Sequence, residues 1–190
     1  MKVDWRYGKA MVALAILGSL SWAPAQAYGG FDFAKYHRCL NTRLDKYDGT
    51  IAEAADDIDQ LNTLYGLVVS AGLGGALSGE GPLTVYAPTN AAFALLPDPL
   101  LDLLGDNKDL LTAVLTYHVS KGIQDPRKPL YPKETATLQP QGQTVFLDYD
   151  DGKGPQINQS TASCKGVRAS NGVIWFINSV MLPQFLPKSK

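Results

Sequence analysis

Apolar residues in the first half of this chain recur at helical spacing, and those in the second half at strand spacing. Ile51, Ala54, Ala55 and Ile58 share one helix face, and Leu61, Leu64, Tyr65 and Val68 share another. Thr50 predicts an N-cap for the first of these, with Glu53 three residues on completing a capping box. The glycine-rich stretch from Ala71 to Gly81 predicts a short helix around Leu73 to Leu77, then a turn. Leu83 to Ala87 reads as an apolar strand ended by Pro88, which has no N–H for a ladder. Thr89 or Asn90 then caps a helix that carries Phe93 inward. Pro97 and Pro99 break the chain ahead of a short helical turn at Leu100 to Leu104. Lys108 to Leu115 is helical by spacing and runs into a strand at Tyr117-His118.

The later pattern is different. Asp125 to Pro140 holds four prolines and no periodicity, which predicts a loop. Gln143 to Tyr149 alternates as a strand, turns at Asp150 to Gly154 and pairs with Gln156 to Asn158. Val167 to Ala169 and Val173 to Ile177 form a hairpin across Ser170-Asn171-Gly172, since Asn-Gly suits a two-residue turn. Met181-Leu182 is expected to close the sheet. Helices early and strands late indicate an α+β domain.

Three stretches carry a family resemblance. Leu83-Thr84-Val85-Tyr86-Ala87-Pro88-Thr89-Asn90-Ala91-Ala92-Phe93 resembles the first signature motif of the fasciclin (FAS1) domain. Leu111 to Val119 resembles the family's tyrosine–histidine segment, and Ser170 to Pro183 its second signature. They stand in the family's order and spacing, from about Thr50 to Pro183. The resemblance implies one fasciclin-like domain over residues 49–184, with helices packed on a wedge-shaped β-sandwich. It implies a non-enzymatic role in adhesion, matrix or cell-surface association, toward a surface protein or a polysaccharide. In fasciclin domains the Tyr-His dipeptide is linked to receptor binding, which makes Tyr117 and His118 the candidate partner contacts. Some fasciclin-like proteins bind carotenoids, so a carrier of a carotenoid or lipid is the alternative, with Tyr65, Tyr117, Trp175 and Phe176 as candidate walls. The chain departs from the family where Trp175 replaces a frequent histidine and Asn178 a frequent aspartate.

The N-terminus narrows the compartment. Lys2, Arg6 and Lys9, the apolar run Ala10 to Leu20, and Ala25-Gln26-Ala27 together read as an export signal over residues 1–27. A bilayer span needs about 20 apolar residues, and Ser21, Pro24 and Gln26 end this run sooner. Removing Lys2, Arg6, Lys9 and Asp4 from 17 basic and 18 acidic residues leaves 14 against 17, a net charge of −3. That balance argues against a nucleic-acid footprint and against purely electrostatic docking on an anionic membrane. The destination is periplasmic or secreted. Cys39 and Cys164 in an exported chain predict a disulfide, with two separately buried thiols as the alternative. The bridge would tie an extension over residues 28–48 to the segment before the last strands; residues 185–190 form a tail.

Few residue patterns offer chemistry. His37 and Cys39 are too few for a metal site, which needs three or four ligands. Gly75-Ala76-Leu77-Ser78-Gly79 has the wrong spacing for a nucleophile elbow. Gly72-Leu73-Gly74-Gly75 lacks the strand and Lys-Ser/Thr pair of a phosphate loop. Asp148, Asp150 and Asp151 beside Gly152 faintly resemble a calcium loop, but Gln159 stands where the closing Glu belongs. No enzyme, cofactor or metal is expected.

Overall fold

The structure, a computed structural model, describes residues 31–129 and 132–184. The export signal, residues 28–30 of the extension and the tail at 185–190 lie outside the described residues. The chain runs α1 (Phe33–Asn41), β1 (Asp45–Lys46), α2 (Ile51–Asp57), α3 (Asn62–Ala71), α4 (Gly74–Ser78) and β2 (Leu83–Pro88). It continues through α5 (Asn90–Phe93), α6 (Asp98–Asp106), α7 (Lys108–Tyr117) and β3 (Val119–Lys121). The strands β4 (Lys133–Ala136), β5 (Thr144–Asp150), β6 (Gly154–Ile157), β7 (Ser160–Ala169) and β8 (Gly172–Ile177) follow.

One sheet of order β3-β2-β8-β7-β6-β5-β4 carries β1 on β7. A bridge between Ser120 and Thr137 brings its two ends together, so the sheet wraps into a nearly closed, barrel-like sandwich. The period of two sorts its side chains into two cores. Leu83, Val85, Ala87 and Ile174 face the helices, with Leu61, Leu64, Val68, Leu111 and Leu115 packed on them. Tyr86, Val173, Trp175 and Ile177 face inward, against Val145, Leu147 and Ile157 of the opposite wall. Burial on both faces accounts for the almost uninterrupted apolar reading of β2 and β8. Gly166 is needed on β7 because a Cβ there would stand 2.9 Å from the Trp175 ring.

The capping box at Thr50 and Glu53 forms as the spacing predicts. Thr89 caps α5 through its hydroxyl, and Thr89 N–H donates to Ile177 just past Pro88. Cys39 and Cys164 form a disulfide that joins α1 to β7. With the two cysteines 125 positions apart, the chain-entropy contribution is about 5 kcal/mol.

Several expectations are corrected. Tyr117 and His118 are not a strand: α7, capped by the Asn107 side chain, extends to Tyr117, and His118 is its C-cap. The proline-rich stretch contains β4, which pairs with β5. The partner of β5 is Gly154–Ile157 rather than Gln156 to Asn158, and α6 is longer than its predicted turn. In the last hairpin Ala169 pairs with Gly172, so Ser170 and Asn171 make the turn. The Asn171 side chain instead accepts from Ile51 N–H and donates to the Leu77 and Gly79 carbonyls. Met181-Leu182 adds no strand.

Candidate functional site

The end of α7 separates the two residues singled out by sequence. Successive helical residues point about 100° apart, and here that angle divides the inner core from the helix layer. The Tyr117 ring packs in the inner core, 6% exposed, while His118 turns toward the helices, 2% exposed.

His118 is a clasp. Its Nδ1 donates to the Val114 carbonyl at 2.7 Å, and its Nε2 accepts from Met181 N–H at 2.9 Å. The second bond fixes the segment after β8 against α7. Burial pushes the imidazole down to about 4, against the opposing pull of the Val114 carbonyl. Both ring nitrogens are engaged, which leaves neither to a partner. Beside it lies an apolar pocket of about 40 Å³ lined by Leu64, Val68, Leu77, Leu115 and Leu138.

The Tyr117 hydroxyl emerges on the other side. It donates to the Thr144 carbonyl at 3.1 Å and accepts from Asn158 Nδ2 at 3.0 Å. There it meets an open groove of about 540 Å³. Its shape is held by internal bonds. Gln143 and Gln184 clasp each other through side chain and backbone, at 2.7 and 2.8 Å. Asn158, with φ of 53°, accepts from Phe146 N–H at 2.9 Å. Thr144 Oγ1 donates to Glu134 at 2.6 Å. Sequence reasoning missed every groove residue except Tyr117. The one legible signal was Phe146, which the alternation of β5 places opposite Val145 and Leu147, half exposed.

The four residues expected to wall an apolar ligand site are not brought together. Tyr65 and Phe176 pack with the helix-side core, Tyr117 and Trp175 with the inner one. Trp175, 1% exposed, donates its indole N–H to the Gln124 carbonyl at 2.9 Å and lies under the Arg127 guanidinium. Arg127 is itself saturated: it pairs with Asp125 and donates to the carbonyls of Cys39, Thr42 and Cys164. Above them runs a groove of about 680 Å³ bearing Lys128, Lys133 and Arg168. Asn178 accepts from Thr161 N–H and returns its own N–H to the Thr161 carbonyl, so its amide closes β7 onto β8.

Asp148 and Asp150 each accept a backbone N–H in or near their turn, and Asp151 accepts from Asp32 N–H at the start of α1. Among the described residues no cluster of three His, Cys, Asp or Glu could hold a metal ion. Nor is any helix among them long and apolar enough to cross a membrane.

Comparison with known proteins agrees with the motifs. The Fasciclin domain family matches residues 59–183. Protein sll1483 of Synechocystis is 43% identical, over 70% of this chain and 73% of its own length. The cell surface glycolipoprotein MPB83 of Mycobacterium bovis is 35% identical over 70% of this chain and 60% of its own. Among solved structures, a FAS1 domain pair from the insect cell adhesion molecule fasciclin I is similar at a TM-score of 0.46 and 10% identity. That match covers 71% of this chain and 51% of the other.

Proposed function

Because the chain belongs to the fasciclin domain family, we propose that it is an exported, non-enzymatic binding protein of the cell surface or its matrix. Its binding surface is the polar groove at the Tyr117 hydroxyl. The observation that carries this reading is the groove itself: it is open, hydrogen-bonded at its walls and about 540 Å³ in volume, within the range of about 300–1,000 Å³ usual for small-molecule sites, room for a short segment of a partner. Two further points support it. A disulfide persists in an oxidising compartment, and one relative is named as a cell surface glycolipoprotein. His118 enters this reading as the clasp that fixes the end of α7, and Tyr117 as the contact.

The carrier alternative has the apolar pocket beside His118 in its favour. At about 40 Å³ that pocket has room for little more than one water, whose share of liquid volume is about 30 Å³. A carotenoid or lipid would have to part α3 from α7 to enter.

The test uses mature protein purified from its native host. Fluorescently labelled protein is mixed with envelope and matrix fractions of that host and sedimented. Saturable co-sedimentation is expected, and it should weaken when Gln159→Trp fills the groove. Failure to bind any fraction would defeat the reading. A stoichiometric pigment or lipid in an organic extract of the purified protein would replace it with the carrier.

A further inference from the structure

Resting on that reading, we propose that the occupant of the Tyr117 groove is a neutral polysaccharide segment, bound by uncharged sugar hydroxyls and one sugar face. The argument starts from which groove side chains are already used. Gln143 spends its amide on the Gln184 backbone, Thr144 its hydroxyl on the Glu134 carboxylate, and Asn158 its amide on Phe146 N–H and the Tyr117 hydroxyl. The side-chain amides of Gln141, Gln159 and Gln184 line the same groove, are exposed, and make no hydrogen bond to any described residue. An amide offers two donors and one acceptor oxygen, and a hydroxyl both donates and accepts. Three free amides around one concavity therefore match a ligand whose groups also do both.

Charge excludes the other ligand classes. Glu134 is the single charged side chain among the described residues of the lining, and Thr144 already donates to it. An acidic polymer would find no cation among the described lining residues and one carboxylate to repel it. A basic peptide would find only that one partly committed carboxylate, solvent-exposed and worth little.

The remaining surface is apolar. Phe146, 50% exposed, presents its ring from β5, and Leu182 is 46% exposed in the same groove. Phe146 is a half-exposed aromatic beside three free amides. The negative face of its ring attracts the weakly positive C–H groups that line one face of a pyranose. The basic groove above Trp175 is the contrasting case. It carries Lys128, Lys133 and Arg168, and Asp125, the one acid among its described residues, is neutralised by Arg127. An anionic ligand would go there.

The experiment titrates mature protein with size-defined neutral oligosaccharides (glucan, mannan and galactan fragments) and with polygalacturonate fragments, by calorimetry. At least one neutral series is expected to bind, with an affinity that added salt leaves unchanged, because no ion pair is formed. Phe146→Ala should weaken that binding about tenfold, with an unchanged thermal midpoint. Gln159→Leu should weaken it without touching the fold. Binding only of polygalacturonate, weakening with salt, would overturn the inference in favour of the basic groove. Binding of envelope fractions that protease treatment abolishes, with no neutral oligosaccharide bound, would overturn it in favour of a protein partner and leave the groove reading standing. No binding to any envelope fraction would remove the groove reading as well.

Discussion

Two neighbouring residues at the end of α7 sit in surroundings with opposite physics. His118 is walled by leucines and valines, with each ring nitrogen committed to one backbone group. Tyr117 has its ring in the inner core and its hydroxyl at the edge of a polar groove. Removing the histidine's partners would strand polar atoms in an apolar layer, where water cannot replace them. Around the tyrosine hydroxyl, solvent can. The difference separates a dipeptide that looks like one functional unit into a structural half and a surface half.

The largest effect should come from breaking the structural half. His118→Ala removes two buried hydrogen bonds and leaves Val114 O and Met181 N–H without their partner. A loss of about 4 kcal/mol is expected, seen as a drop on the order of 10 °C in thermal midpoint. Binding at the groove by the folded fraction should persist. If the variant melts like the parent, the clasp is not holding the fold.

Acid should act on the same residue. Its folded value is about 4 against 6.5 when exposed, so between these the unfolded chain binds a proton that the folded chain does not. Stability from this site is complete above pH 6.5 and is lost as pH falls toward 4, by up to about 3 kcal/mol. Urea midpoints at pH 7 and pH 4.5 measure it. His118→Gln should flatten the slope between them, and an unchanged slope would assign the acid sensitivity elsewhere.

The smallest effect belongs to the surface half. Tyr117→Phe removes one hydroxyl that solvent can partly replace, for about 1 kcal/mol, while weakening envelope binding at the groove. A loss as large as that of His118→Ala would erase the distinction between the two residues.

Local chemistry made much of the fold legible. The Thr50 capping box, the stop at Pro88, the Thr89 cap and the cysteine pair each depend on residues that declare their role within a turn of chain or by compartment. The end of α7 was not legible. β-Branched Thr116 and Val119 flank Tyr117-His118 and favour a strand, but the Asn107 cap and the packing of Leu111 and Leu115 carry the helix through to Tyr117. β4 was hidden among prolines, since its pairing is decided by β5 rather than by its own sequence. Beyond Tyr117 and the alternation at Phe146, the groove could not be read. Its residues come from Tyr117, Glu134, the 141–146 stretch, Asn158-Gln159 and the 182–184 stretch, and only the wrapped sheet brings them to one place.

The pairing of β2 with β8 bears on the order of assembly. These strands lie side by side and parallel, second and third in the strand order, with Leu83 opposite Gly172, so about ninety residues must be looped before they meet. The loop entropy grows slowly with that length, but the search is long, and folding rates fall as contacting residues lie further apart in sequence. During synthesis β2 has no partner on this edge until residues 172–177 have emerged. Up to that moment its Val85 and Ala87 stay uncovered by β8, and the helices that precede it have only half a sheet on which to pack.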